Sequence, residues 1–296
     1  SVLYSEMITT GAILYGDTER HLAMSAQEQP VALQLGGSDP NDLAAACKIA
    51  DNYAYSEINL NCGCPSDRVQ NGMFGAVMMK NAKITADCVA AMIDATTLPV
   101  TVKHRIGVDD FDSYDFLCQF VGTVAASGCS TFLVHARKAW LQGLSPKQNR
   151  EVPELNYDRV YQLKKDFPDL EFIINGGIST LDESVTHLNN IDGVMLGREA
   201  YTNPYILSQV DRIIYGDEKP IKTREKIAEE FVEYVDNEMA KGVKLNAMTR
   251  HILGLYHGMP GARQFRRHIS ENAYKSTATI DVLINALKFT SGASTR

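Results

Sequence analysis

The feature that most constrains this fold is a series of short β-branched runs, each followed by a longer stretch of helical periodicity. The runs are Val2-Leu3-Tyr4, Val31-Ala32-Leu33-Gln34-Leu35, Ile58-Asn59-Leu60-Asn61, Val100-Thr101-Val102-Lys103, Phe132-Leu133-Val134-His135, Phe172-Ile173-Ile174-Asn175 and Gly193-Val194-Met195-Leu196. Strands separated by helices predict repeated βα units around a parallel sheet. Helix starts agree: Ser38-Asp39-Pro40 precedes an Ala/Leu-rich stretch, Thr85 precedes Ala86 to Met92, and Thr180 precedes Leu181 to Leu188. Seven strands are counted, whereas a (β/α)8 barrel has eight. The first βα unit is therefore expected to be missing from this sequence. The expected fold class is α/β, a TIM-type (β/α)8 barrel over residues 1–215, followed by a small all-α helical bundle over 221–296.

The second domain is set off by the polar linker Gly216-Asp217-Glu218-Lys219-Pro220. Beyond it Thr223 is placed to cap a helix with Ile227, Phe231, Tyr234 and Val235 on one face, ending at Gly242. Three further helical stretches are expected, about Leu245 to His257, Pro260 to Tyr274 and Thr279 to Leu287. No apolar run approaches the roughly 18 residues of a membrane helix, and no signal segment opens the chain, so a cytoplasmic protein without a membrane partner is expected. The formal net charge of −7 argues against indiscriminate nucleic-acid binding, although it leaves room for a local basic patch.

The strand ends carry the chemistry. In a parallel barrel the active site lies at the C-terminal ends of the strands. Gln34, Asn61, Lys103, His135 and Asn175 each fall at or near such an end. One such residue is usually a turn or cap; five converging on one mouth point to a site. Asn175-Gly176-Gly177-Ile178 and Gly197-Arg198 follow the last two strands, where barrels commonly bind phosphate through bare glycine backbone, and Arg198 supplies a matching charge. Turns needed merely to enter helices are the plainer alternative. A phosphorylated ligand across the mouth, with Lys103 and Gln34 near its other end, fits FMN.

Of the six cysteines, most sit singly in apolar or Gly-containing contexts, as buried free thiols do. Asn61-Cys62-Gly63-Cys64-Pro65-Ser66 is different, because it lies just past a strand end. A closed zinc site needs four suitable ligands, and no second cysteine pair or histidine cluster accompanies this one, so no metal is expected. A purely structural Gly/Pro turn is one reading. The other is a loop that presents a thiol to substrate. An ordinary thiol titrates near ~8.5 and is mostly protonated at neutral pH, so it can serve as a general acid.

The segment from Leu60-Asn61-Cys62-Gly63-Cys64-Pro65 through Gly72-Met73-Phe74-Gly75 resembles the signature of the dihydrouridine synthase family. Val102-Lys103-His104-Arg105-Ile106-Gly107, His135-Ala136-Arg137 and Asn175-Gly176-Gly177 fall in that family's order. The opening Tyr4-Ser5-Glu6-Met7 through Ala12, with Leu33-Gln34-Leu35-Gly36-Gly37, is most similar to its A subfamily. The resemblance covers the whole chain. It implies FMN held by Gln34, Lys103, His135, Asn175, Gly177, Gly197 and Arg198, with NADPH as the reductant. It also implies Cys64 as proton donor and Asn61, Arg137 and Lys138 at the substrate uridine or its phosphate. The implied reaction adds hydride from flavin N5 to uracil C6 and a proton from Cys64 to C5, at positions 20 and 20a of the tRNA D-loop. Cys62 stands where the family has an apolar residue and is read as a small buried side chain. The family's opening strand, with an Ala-Pro-Met-type loop, has no counterpart here.

The densest basic cluster, Arg263-Gln264-Phe265-Arg266-Arg267-His268, is a candidate RNA-facing surface. On a helix Arg263, Arg266 and Arg267 share a face, while Phe265 and Ile269 point to the core. Phosphate binding there, with Lys147, Gln148 and Arg150 as a second jaw, is weighed against an ordinary solvated face. Three other functions fit parts of the pattern: an FMN barrel acting on a free pyrimidine or small enone, a Schiff-base aldolase using Lys103, and a non-catalytic RNA-binding factor. A monomer is expected.

Overall fold

The computed structural model describes residues 1–66, 69, 70 and 72–290. Asp67, Arg68 and Asn71 of the signature segment lie outside them. The parallel sheet is built from β1 (Leu3–Tyr4), β2 (Ile8–Thr9), β3 (Val31–Gly36), β4 (Glu57–Cys62), β5 (Val100–Arg105), β6 (Thr131–His135), β7 (Glu171–Asn175) and β8 (Gly193–Met195). Its order is β1-β3-β4-β5-β6-β7-β8, with β2 also on β3. The architecture is of the TIM type with a following helical region. No ladder among the described residues joins β8 back to β1.

β1 and β2 are two pieces of one line along β3. Leu3 pairs with Val31 and Ile8 with Leu35, so an advance of five positions along the edge matches four along β3. The extra residue interrupts the ladder as a bulge does. Ser5 repairs the break, its Oγ accepting the Gln34 backbone N–H at 2.9 Å.

The strands carry large apolar residues on the face turned to the helices. Leu33, Leu35, Ile58, Leu60, Phe132 and Phe172 are fully buried there, and each such side chain contributes about 1.5–3 kcal/mol when fully buried. Helices Pro40–Ala50, Ala82–Ala95 and Tyr114–Ala125 follow β3, β4 and β5. Their starts follow the capping rule: Asp39 accepts from the N–H groups of Asn41 and Asp42, and Ser113 from that of Phe116. The second helix begins earlier than Thr85 predicts. Asn81 caps it, and Thr85 lies buried inside, donating to the carbonyls of Met78 and Asn81.

The chain forms two compact units, Ser1–Gly177 with Thr186–Met195, and Ile178–Val185 with Leu196–Arg296. This division falls just after β8, whereas the linker at Gly216 was the expected boundary. Within the second unit Tyr205 packs against the helical core and Arg224 lies 3.7 Å over its ring, which ties the segment before the linker to the bundle.

The second unit's core gathers Val235, Leu245, Leu255, Phe265, Leu283 and Ala286. Its long helix, Arg224–Ala240, is capped by Thr223. Ile227, Phe231 and Val235 face the core, but Tyr234 is 38 % exposed and lies off that face. The next helix ends at Thr249 instead of continuing to His257, and turns interrupted by Gly254 and Gly258 follow. The basic cluster occupies Ala262–Asn272, with Phe265 and Ile269 buried and Arg263, Gln264, Arg266 and Arg267 exposed.

Candidate active site

Strand alternation places every second residue of β3, β4 and β5 on the inner face of the sheet. Register then fixes the neighbours: Gln34 beside Asn59, Asn61 beside Lys103, Arg105 beside His135, and His135 beside Asn175. The inner polar groups satisfy one another. Gln34 Nε2 donates to Asn59 Oδ1 at 2.9 Å, Asn59 Nδ2 to Thr101 Oγ1 at 2.8 Å, and Asn61 Nδ2 to Gln34 Oε1 at 2.7 Å. Lys103 Nζ donates to Asn175 Oδ1 at 3.2 Å, and Asn175 Nδ2 to the Met195 carbonyl at 2.8 Å. His104 points the other way, packed against Phe120 and Phe132, and burial lowers its pKa to about 4.

The cysteine loop hangs from this framework. Asn61 Oδ1 accepts from the backbone N–H groups of both Gly63 and Cys64 at 3.0 Å, an Asx-type turn that closes the loop on the strand end. Arg105 Nε donates to the Gly63 carbonyl at 2.9 Å, and Ala76 N–H to the Cys64 carbonyl at 2.9 Å. Gly75 has φ +75°, and a Cβ there would stand 2.5 Å from the Cys64 carbonyl oxygen. The site needs glycine. Cys64 is half-buried, with its Sγ 3.5 Å from Ser66 Oγ. Cys62, fully buried beside Cys88 and Cys129, has its pKa pushed up by desolvation, as a packing residue would.

The long loop after β6 closes on the same point. Arg105, only 3 % exposed, donates through Nη1 to the carbonyls of Lys138 at 3.1 Å and Asn149 at 2.8 Å. Asn149 is fully buried and knots the loop, accepting from Trp140 N–H and donating to the carbonyls of Trp140 and Leu144. Arg137 donates to the carbonyls of Glu151 and Pro153. Lys138 lies 4.2 Å over the Trp140 ring and pairs with Asp112 at 2.8 Å. Gln148 accepts from Ser145 N–H at 2.9 Å, a local loop bond.

Cations crowd this corner. Burial lowers the Lys103 pKa to about 8, with repulsion from Arg105 adding to the shift and Cys64 opposing it. Burial likewise lowers Arg105 to about 10, where Arg150 and Arg137 repel it and Cys64 attracts it. Gly176 and Gly177 follow β7 with φ of +118° and +74°, and Cβ atoms there would come 2.6 Å from the His135 ring and 2.7 Å from Leu155. Tyr157 Oη holds this turn by donating to the Gly176 carbonyl at 2.7 Å.

The structure thus brings together Gln34, Asn61, Cys64, Lys103 and Asn175, with His135, Gly176 and Gly177 joined through the β5–β6–β7 register. Gly197 and Arg198 open a helix of the second unit, Arg198–Thr202. Arg267 pairs with Glu271 at 2.7 Å on the exposed face of the basic helix. Sequence reasoning overlooked Arg105, Asn149 and Tyr157. Arg105 had a signal, since it is two residues past Lys103 and shares its face if the strand continues. No group of three metal-ligating side chains occurs among the described residues, and no described helix is long and apolar enough to cross a membrane.

Residues 1–291 match the family model described as dihydrouridine synthase (Dus). A tRNA-dihydrouridine(20/20a) synthase of Yersinia pestis is 57% identical over 292 residues, covering 98% of this chain and 84% of the relative. The proteins of that name from Vibrio vulnificus (strain CMCP6) and Salmonella typhimurium (strain LT2) are 57% and 58% identical, covering 97% of this chain and 88% and 86% of their own lengths.

Proposed function

Because the chain belongs to the dihydrouridine synthase family, we propose that it reduces uridine to 5,6-dihydrouridine at positions 20 and 20a of the tRNA D-loop, with FMN as prosthetic group and NADPH as reductant. The observation that carries this reading is the Cys64 loop, fixed by Asn61 and Arg105 next to the Lys103–Asn175 pair. The residues fit a phosphorylated cofactor. Gly176 and Gly177 expose backbone in conformations that side chains avoid, and Lys103 supplies a cation within the polar inner face. Gln34, Lys103, His135, Asn175, Gly176 and Gly177 would hold the group. Gly197 and Arg198 are assigned to it by their place directly after β8. When bound, FMN supplies hydride chemistry for uracil C6.

The chain's own residues do the rest. Hydride addition at C6 leaves an enolate conjugated to the C4 oxygen, and Cys64 Sγ gives its proton to C5: the enolate's π pair forms the C–H bond, the C4 carbonyl re-forms and the S–H pair stays on sulfur as thiolate. Asn61 orients both the loop and the base. Arg137, Lys138, Gln148 and Arg150 offer donors to the flanking phosphates, and Lys138 exchanges its Asp112 pairing for RNA. Arg263, Gln264 and Arg267 form a phosphate-binding face on the helical unit.

The purified protein should show oxidised-flavin absorption after addition of FMN and release FMN on denaturation. A protein that takes up none would overturn the cofactor assignment. With its pKa near 8, Lys103 is charged at neutral pH and loses that charge as pH rises. FMN affinity should therefore weaken progressively above about pH 8, and Lys103→Met should weaken binding at neutral pH and remove that dependence. The sign for stability is opposite. The buried ammonium is a cost below about pH 8 that is relieved between 8 and the ordinary 10.5, so the apoprotein gains stability from Lys103 across that interval.

Arg263→Ala with Arg267→Ala should weaken tRNA binding, lower the salt slope by about one to two counterions and leave NADPH consumption without RNA unchanged. Arg263 should account for more of this, because Arg267 already pairs with Glu271. Unaltered affinity across a salt titration would place the RNA elsewhere.

A further inference from the structure

Outside the cluster on Ala262–Asn272, the helical unit carries a second group of cationic and aromatic side chains. Tyr201, on helix Arg198–Thr202, is 58% exposed. Its ring meets that of His251 edge-on, with centroids 5.8 Å apart and planes at 81°. Tyr201 Oη lies 3.3 Å from His251 Nδ1, and Arg250 Nε donates to His251 Nε2 at 2.9 Å.

The backbone makes this arrangement obligatory. Thr249 and Ile252 are buried on either side, so Arg250 and His251 must project outward. Gly254 sits so close to the Tyr201 helix that a Cβ would fall 2.3 Å from the Thr202 carbonyl oxygen and 2.9 Å from Pro204. The turn carrying Arg250 and His251 is thereby seated against the helix carrying Tyr201.

The hydrogen bonds also set the protons. Because Arg250 donates to Nε2, that nitrogen is the acceptor and the imidazole proton resides on Nδ1. Nδ1–H then donates to Tyr201 Oη, and the tyrosine hydroxyl keeps its own proton for an outside acceptor. An exposed aromatic face, a hydroxyl donor and a guanidinium are thus held in one ordered group. Aromatic faces stack on any unpaired base, and guanidinium and hydroxyl groups take phosphate oxygens. In a chain of net charge −7, such local cationic groups are where an RNA can gain attraction.

We propose that Tyr201, His251 and Arg250 form an RNA-contact site on the helical unit, separate from the Arg263 face, in which Tyr201 stacks an unpaired base and Arg250 takes the adjoining phosphate. The assignment rests on the proposed tRNA substrate. His251 is a positioning residue, holding the ring and the guanidinium in one geometry.

The test measures binding of unmodified tRNA to FMN-loaded protein across a salt titration, together with tRNA KM, kcat and NADPH consumption without RNA. Stacking is worth about 1–3 kcal/mol per base, so Tyr201→Ala should weaken binding about fivefold or more and raise KM without lowering kcat. Tyr201→Phe keeps the ring and gives up only the hydroxyl, whose neutral hydrogen bond contributes about 0.5–1.5 kcal/mol, so its loss should be about two- to twelvefold and smaller than that of Tyr201→Ala. Arg250→Ala should lower the salt slope by about one. NADPH consumption without RNA should be unchanged in all three. Parent-like affinity and salt slope in both Tyr201→Ala and Arg250→Ala, with a parent enzyme that binds and modifies tRNA, would overturn this site and leave the substrate reading standing. A parent protein that binds no tRNA would overturn both. Should Tyr201→Ala fail to fold, Arg250→Ala decides, because that side chain contributes nothing to the buried core.

Discussion

Cys64→Ala should lower dihydrouridine formation by about 10²–10⁴-fold, the usual cost of losing a positioned general acid, while NADPH consumption in the absence of RNA continues at the parent rate. The split follows from where Cys64 sits. Its backbone N–H and carbonyl are held by Asn61 and Ala76, so the loop keeps its shape when only the thiol is removed. Cys62→Ala should act on neither readout beyond a small loss of stability, because Cys62 faces the helix layer with Cys88 and Cys129. Product assayed by nucleoside mass spectrometry, with NADPH followed by absorbance, separates the outcomes. Equal losses of product in both variants would contradict the assignment of Cys64 as sole acid.

Arg105→Met should be the most damaging single change that removes no reacting group. The guanidinium gives hydrogen bonds to the carbonyls of Gly63, Lys138 and Asn149, joining the cysteine loop to the long loop after β6. Hydrogen bonds to charged groups contribute about 1.5–3 kcal/mol each, and members of one network do not add. A stability loss of about 3 kcal/mol is expected in urea unfolding at neutral pH, partly because three carbonyls lose their donor. A thiol displaced by about 1 Å can cost on the order of 10²-fold in rate. Arg105→Lys should not rescue, because a single ammonium cannot reproduce the divergent Nε and Nη1 donors. A methionine variant with parent stability and parent turnover would show that the two loops hold themselves.

Much of the site was legible because strand-end polarity is local. Gln34, Asn61, Lys103, His135 and Asn175 stand out against apolar strands, and parallel topology alone brings strand ends together. The Cys62–Ser66 turn was legible for the same reason. What was lost is long-range or depends on an exact boundary. β5 runs two residues past Lys103, which turns Arg105 inward toward the mouth and His104 outward; a strand ended at Lys103 hides both. Asn149 lies between two residues chosen for their charge or polarity, yet its role depends on Trp140 and Leu144 closing over it. The Asp112 partner of Lys138, distant in sequence, shows only in the structure. The helix start at Ala82 was missed because Asn81 and Thr85 are both plausible caps, and only burial tells them apart. The edge strand was read as one run, and its continuation at Ile8–Thr9 shows only through the register on β3.

The most direct test of the account is to incubate the FMN-loaded protein with unmodified tRNA and NADPH, digest the product and locate the modified nucleosides by mass. The expected result is a gain of one H2 per modified uridine, confined to positions 20 and 20a as in the names of the relatives. A protein that binds FMN and consumes NADPH yet leaves the mass of every uridine in that tRNA unchanged would contradict it.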